Sequence, residues 1–176
     1  AVNTVGAAGQ TVTLNGGTGA ITDNNAGATN ITANLLDATA ATGIDLDTAI
    51  ALLTASNSTS GGINIADTNG FAANTVSAAG QTVTLNGGTG AITDNNAGAT
   101  NITATLLDAT AATGISLDTA IAQLTASNTT SGGVDISDTD GFAVNTVGAA
   151  GQTVTLNGGT GAITDNNAGA TNITAT

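Results

Sequence analysis

Residues Gln81–Asn101 read QTVTLNGGTGAITDNNAGATN, and the same letters stand at Gln10–Asn30 and Gln152–Asn172. Working outward, everything between these copies repeats as well. Val2 aligns with Ala73 and Val144, which sets a period of 71 residues, and Val2–Ala72 differs from Ala73–Ala143 at 10 positions. The chain therefore divides into units 2–72 and 73–143 and a partial unit 144–176. Near-identical repeats of this kind commonly mean stacked or tandem units.

Within a unit the grain is finer. Val12-Thr13-Leu14-Asn15, Ile31-Thr32-Ala33-Asn34 and Leu53-Thr54-Ala55-Ser56 each read apolar, Thr, apolar, small polar. That is the period-two pattern of a strand with one buried face. Each phrase runs through a turn of small residues into a second strand: Ala20-Ile21-Thr22, Ile44-Asp45-Leu46 and Ile63-Asn64-Ile65. A looser third segment follows, such as Thr48–Leu52 or Phe71–Val76. The phrases begin at 12, 31, 53 and 83, so the spacings are 19, 22 and 30 residues. These are lengths of successive coils in an all-β parallel β-helix, a β-solenoid with about three coils per 71-residue repeat. On that count the chain holds about seven coils, roughly 35 Å of rod at one strand spacing per coil. Thr13, Thr32 and Thr54 are expected to form an outward ladder, with Asn15, Asn34 and Ser56 beside it.

Differences between the copies agree with this phase. Asn34→Thr105, Asp45→Ser116, Asn64→Asp135 and Ala66→Ser137 all fall at positions expected to face out. Their neighbours Ala33, Leu35, Ile44, Leu46 and Ile65 do not change. Leu46–Asn57 also fits a short helix capped by Asp47, but its flanks are strand-like and it is too short to nucleate alone. Strand is the preferred reading. Tandem Ig-like sandwiches are the rival fold, and a sandwich of this size needs bulky side chains across a gap of about 10 Å. Each unit offers one Phe and otherwise Ala, Val, Ile, Leu and Thr, which suit the narrower bore of a solenoid.

Composition removes most chemistry. The 176 residues include no Lys, Arg, His, Cys, Met, Trp, Tyr or Pro, and the net charge of −12 comes from Asp alone. With no cation to neutralise phosphate, nucleic-acid binding is not expected, nor is attraction to an anionic membrane. No apolar run approaches the roughly 20 residues that cross a bilayer, so no membrane insertion is expected of this segment. The chain does not start with Met and its third unit is partial, which suggests a fragment of a longer chain.

Catalysis needs a base, a nucleophile or a metal, and only Asp, Ser and Thr are on hand. Asp45 and Asp47 have the makings of a glycosidase pair, yet the second copy carries Ser116 in place of Asp45. No catalytic, cofactor-binding or metal-binding residue is assigned, and the chain is expected not to be an enzyme. Calcium is the ligand to weigh. Gly16-Gly17-Thr18-Gly19-Ala20 opens like a calcium nonapeptide but puts Ile21 where a ligand Asp belongs. Asp135-Ile136-Ser137-Asp138-Thr139-Asp140-Gly141 gathers three carboxylates as part of an EF-hand loop does, without the distal Glu; the first copy has Asn64, Asp67 and Asn69 there. Turn roles are preferred for all of these. An ice-binding Thr face is a lesser alternative. Asn30-Ile31-Thr32 and Asn57-Ser58-Thr59 are glycosylation sequons in form.

Val83-Thr84-Leu85 followed by Gly90-Ala91-Ile92, within TVTLNGGTGAITDNNAGATNITAT, resembles the repeat regions of filamentous-haemagglutinin-like exoproteins. These are giant bacterial surface adhesins, many exported by two-partner secretion. The resemblance implies a right-handed parallel β-helix shaft, extracellular or on the cell surface, that serves adhesion or builds an extracellular filament or matrix. Its expected partners are further repeats of the same chain or identical subunits end to end. A calcium- or carbohydrate-binding repeat module is the alternative.

Overall fold

The computed structural model describes residues 1–175, and among them every regular element is a strand. In chain order these are β1 (Val5–Asn15), β2 (Ile21–Thr22), β3 (Ile31–Ala40), β4 (Ile44–Asn57), β5 (Ile63–Asp67), β6 (Phe71–Asn86) and β7 (Ile92–Asp94). They continue as β8 (Ile102–Ala111), β9 (Ile115–Asn128), β10 (Val134–Asp138), β11 (Phe142–Ala149), β12 (Val154–Asn157), β13 (Ile163–Asp165) and β14 (Ile173–Thr174). All fourteen join one sheet through parallel pairings, each strand lying over residues about one coil away in the chain. The result is a β-solenoid of about eight coils. Leu46–Asn57 lies within β4, so strand wins over helix there.

The bore is aliphatic. Ile31, Leu36, Leu53, Ile65, Val83, Ile92, Ile102 and Leu107 are wholly buried, and the core cluster runs the length of the rod. Burying each such side chain stabilises the fold by about 1.5–3 kcal/mol. The differences between copies respect that interior. Of the 10, only Ile63→Val134 falls where both residues are buried, and it keeps β-branched shape.

Strict alternation does not survive along the longer strands. In β4, Leu46, Thr48 and Ile50 point inward, and after Ala51 and Leu52 the inward set resumes at Leu53, Ala55 and Asn57. Each slip of phase is a corner where the strand bends around the bore. In β3 the slip falls at Asn34–Leu35, so Leu35 is only half-buried and Leu36 takes the core position expected of it. Register shifts between Ala78 and Thr82 and between Leu53 and Thr54 mark similar corners.

The pairings also correct the count of coils. Leu53 lies under Ala73 and Ile63 lies under Val83, so the 30-residue spacing holds more than one coil. One column climbs through Leu14, Ala38, Ala55, Val76, Ile102, Thr119 and Asp138. Another climbs through Leu46, Ile65, Leu85, Ala109, Ala126, Val147 and Ile173. Leu85 is the second-copy counterpart of Leu14, and the two columns alternate along the chain. A unit therefore makes about three and a half coils, and its successor repeats every feature half a turn further round the rod.

The Thr ladder is not formed. Thr13 lies under Asp37, which lies under Thr54, while Thr32 sits between Gly6 and Ala49. The outward columns are mixed instead, as in Thr22, Asp45, Asn64, Thr84, Asp108 and Thr125. Among the described residues no pairing sets one Asp against another. Like charges stacked one strand apart would repel, and two of the copy differences are explained by that. The first copy stacks Asp45 under Asn64, whose amide donates to the Asp45 carboxylate at 2.7 Å. The second copy stacks Ser116 under Asp135. The carboxylate has moved up one coil and the rung still carries a single charge. Asn64→Asp alone is expected to cost about 0.5–1 kcal/mol, and adding Asp45→Ser to recover most of it. Thermal melts of both variants at low and high salt check this.

Candidate functional site

The polar residues that the fold takes out of solvent are its most specific chemistry, and they bind coil to coil. Asn30 is wholly buried. Its Nδ2 donates to the carbonyls of Val2 and Asn3 on the coil below, at 3.1 Å each, and to the Asp23 carboxylate at 2.8 Å. Its Oδ1 accepts the Asp47 N–H of the coil above at 2.8 Å. One amide thus joins three successive coils. Asn101 does the same with Ala73, Asp94 and Asp118. Asn172 repeats the donor half with Val144 and Asp165. Asn57 and Asn128 hold the next turn, each accepting a Gly N–H and donating to a Ser carbonyl three residues on. The sequon asparagines Asn30 and Asn57 therefore have their amides committed inside the rod, where no glycan can reach them.

Asp67 and Asp138 are the buried carboxylates, at 4% and 3% exposure. One Asp67 oxygen accepts from the Thr48 hydroxyl at 2.8 Å and the Ile50 N–H at 2.9 Å. The other accepts the Asn69 and Gly70 N–H groups at 3.0 and 2.9 Å. Asp138 makes the same four bonds with Thr119, Ile121, Asp140 and Gly141. Four donors replace the water a carboxylate gives up on burial. The three aspartates of Asp135–Gly141 are turned in different directions. Asp135 points to solvent, Asp138 points into the coil, and Asp140 lies in the turn, accepting from the Thr139 hydroxyl at 3.3 Å. Among the described residues no three carboxylates are grouped to hold a metal ion.

The Asp23-Asn24-Asn25-Ala26-Gly27 loop and its two copies carry the only backbone strain outside glycine among the described residues. Ala26, Ala97 and Ala168 sit at φ of 54°, 46° and 39°, a region that costs an L-residue roughly 1–2 kcal/mol. The loop's own bonds hold it there: Asp23 accepts the Asn25 N–H at 2.6 Å, and Asn25 donates to Asn3 O at 2.6 Å. For Asp23 the Asn30 side-chain amide, then the Asn25 N–H, keep the carboxyl below its usual range. For Asp94 and Asp165 the Asn96 and Asn167 N–H groups come first, then Asn101 and Asn172.

A lowered folded pKa means that folding favours the ionised form. The contribution is present above the ordinary aspartate value of 3.8 and is lost as pH falls through the lower folded value. Asp94→Asn is thus expected to melt below the parent at neutral pH, with the gap narrowing as the solution is acidified past that value. Melting curves of the pair across pH read this directly.

Asp45 and Asp47 both lie on the outward side of β4. Partial burial, then the charges of Asp23 and Asp45, push the Asp47 carboxyl up. That contribution has the opposite sign. It is complete below 3.8 and is lost as pH rises through the folded value. The second copy breaks this cluster with Ser116. A groove of about 510 Å³ lies instead along Ala33, Ala49, Ala51, Phe71 and Thr93 and is lined by no carboxylate. Its Phe71 is 4% exposed, so the ring offers no stacking platform for a sugar.

The sequence reading took the Asx and Gly turns correctly as turns and missed the inward asparagines. A signal was present: Asn30 and Asn57 recur at identical places in every complete copy, one before Ile31 and one closing a strand. No helix in the described residues is long and apolar enough to cross a membrane. No protein-family model, curated protein or solved structure matches the chain.

Proposed function

We propose that the chain is a structural shaft segment of a very large, repetitive, secreted or cell-surface bacterial protein of the filamentous-haemagglutinin-like kind. Its work is to span distance and present other domains, in adhesion or in an extracellular filament or matrix. The observation that supports this most is the continuous bore. About eight coils share one aliphatic interior with no break between units, and each coil is tied to the next by a buried amide or carboxylate. A solenoid of that kind lengthens by adding units while every interface stays the same. The parallel winding is taken as right-handed, the sense that parallel crossovers adopt. Partners are further repeats of the same chain or identical subunits end to end. No resident cofactor and no reaction belong to the proposal.

Electron microscopy of the intact parent protein tests it, together with antibody labelling of unpermeabilised cells. Rods whose length scales with the number of 71-residue units, labelled at the surface, are expected. Compact particles, or label confined to the cell interior, would overturn it.

A further inference from the structure

We propose that Asn69–Gly70 is a self-modification site, where the fold converts its own asparagine to an aspartate through a cyclic imide. The Gly70 nitrogen gives its proton to the Asp67 carboxylate and attacks Cγ of the Asn69 side chain. The Cγ–Nδ2 bond then breaks, the proton passes on to Nδ2, and ammonia leaves. Water opens the ring to aspartate or isoaspartate. Water is the only reagent consumed.

An asparagine followed by glycine is the pair most open to this chemistry, because no side chain stands in the way of ring closure. The sequence holds four such pairs, at Asn15, Asn69, Asn86 and Asn157. Stacking of the coils sorts them. Gly16 and Gly87 donate their N–H groups to the coil above, to Thr39 O and Thr110 O, each at 2.8 Å. The Asn15 and Asn86 side chains are folded back by the N–H two residues on, at 2.8 and 2.9 Å. Both glycines are also packed against an isoleucine, Ile21 or Ile92. Ring closure at either place must first break a bond between coils. Asn157 has the same local sequence and is set aside, because the counterpart of Thr110 falls outside the chain.

Asn69–Gly70 is held differently. The Gly70 N–H donates to a base, Oδ1 of Asp67, at 2.9 Å, within the reach that proton transfer needs. The Asn69 carbonyl oxygen accepts the Thr68 hydroxyl at 3.1 Å, which draws charge away from Cγ. Its Nδ2 donates to no group among the described residues, and the side chain is exposed, so the leaving nitrogen is held by nothing. Base, polarising hydroxyl, electrophile and nucleophile thus follow one another through Asp67, Thr68, Asn69 and Gly70. Asn69 and Gly70 also line the groove of about 510 Å³, where water reaches the ring.

The fold requires the labile pair and accepts its product. Gly70 sits at φ of 90°, and a Cβ there would collide with the Ala91 backbone of the coil above, so only glycine can follow Asn69. The second unit already carries Asp140 at the matching place. There Asp138 keeps all four of its bonds, and the Thr139 hydroxyl donates to Asp140 at 3.3 Å. Aspartate at position 69 therefore makes the first turn a copy of the second and adds one negative charge. Isoaspartate does not fit, because it lengthens the backbone where Gly90 packs on the Asn69 carbonyl. The site stands whether or not the rod serves as a shaft.

The test follows the 176-residue chain, kept folded at neutral pH and sampled over weeks. Digestion with a protease that cuts before aspartate gives residues 67–93 as one peptide, carrying both Asn69 and Asn86, and residues 1–22 carrying Asn15. Fragment masses then place each gain of the asparagine-to-aspartate mass difference. Asn69 is expected to convert at least about tenfold faster than Asn86 or Asn15. In denaturant the three rates are expected to converge, Asn69 slowing and the others speeding up. Asp67→Asn removes the base and is expected to slow Asn69 about tenfold or more, whereas a merely structural Asp67 would loosen the turn on substitution and speed the reaction. Should Asp67→Asn fail to fold, Thr68→Val replaces it, with an expected slowing of about threefold to tenfold. Conversion of Asn69 at or below the Asn86 rate in the folded chain would overturn the proposal. So would faster conversion in denaturant than in the fold, or an unslowed rate in the folded variant.

Discussion

Gly90→Ala is expected to destabilise the rod by about 3 kcal/mol, while Gly19→Ala, the same change in identical local sequence, is expected to stay within about 0.5 kcal/mol. The two glycines differ in what lies beneath them. A Cβ built on Gly90 collides with the carbonyl of Asn69 and the N–H of Gly70 on the coil below. On Gly19 it meets only its own turn, the nearest atom being the Gly16 oxygen at 3.5 Å. Gly161, again with a coil beneath it, repeats the collision with Asp140 and Gly141. The obstacle is backbone, which cannot swing aside as a side chain can. Parallel thermal melts of the two variants make the comparison, with a shift of roughly 6–12 °C expected for Gly90→Ala. Equal shifts would mean that the coils are not stacked in this register.

Asn101→Ala is expected to cost as much or more, about 3–5 kcal/mol. The side chain is wholly buried and makes bonds to three coils. Its loss strands the N–H of Asp118 away from water and takes one donor each from the Asp94 carboxylate and from the Ala73 carbonyl, which keeps the Asn95 N–H at 3.0 Å; a buried group left unpaired costs about 1–3 kcal/mol. Asn172→Ala, at the upper end with only the donor half of the bonds, is expected to lose less than half as much. Hydrogen exchange separates the two cases. In Asn101→Ala the amide of Asp118, which donates to the Asn101 side chain, should lose protection first, ahead of the Val76 amide, whose partner is the Asn101 backbone carbonyl. Unchanged protection there would remove the three-coil role assigned to the asparagine.

Much of the fold was legible because its period is short and its interior simple. Val12-Thr13-Leu14-Asn15 and its echoes show the strand phase directly, and Asp45→Ser116 and Asn64→Asp135 mark the outward face without any structure. Leu35-Leu36 shows where such reading stops. Two adjacent leucines fit either phase of an alternating strand, and only the corner in β3 places Leu36 in the bore and Leu35 at its rim. Asn30 reads as the head of a sequon and Asp67 as a turn residue, because nothing local distinguishes a solvated polar side chain from one that reaches into the coils above and below. The partners on neighbouring coils lie 17 to 28 residues away.

The amino-acid sequence by itself determined that this is a repetitive parallel β structure with an aliphatic interior. Period-two alternation leaves one buried face, and a chain whose only aromatic side chains are Phe71 and Phe142 can fill only a narrow bore. What only the tertiary structure decided is how the coils lie on one another: about three and a half to a unit, with carboxylates kept off adjacent rungs and asparagines turned inward. Those features depend on which distant residues share a column, and corners and bulges, each adding or dropping a residue, set that register in three dimensions.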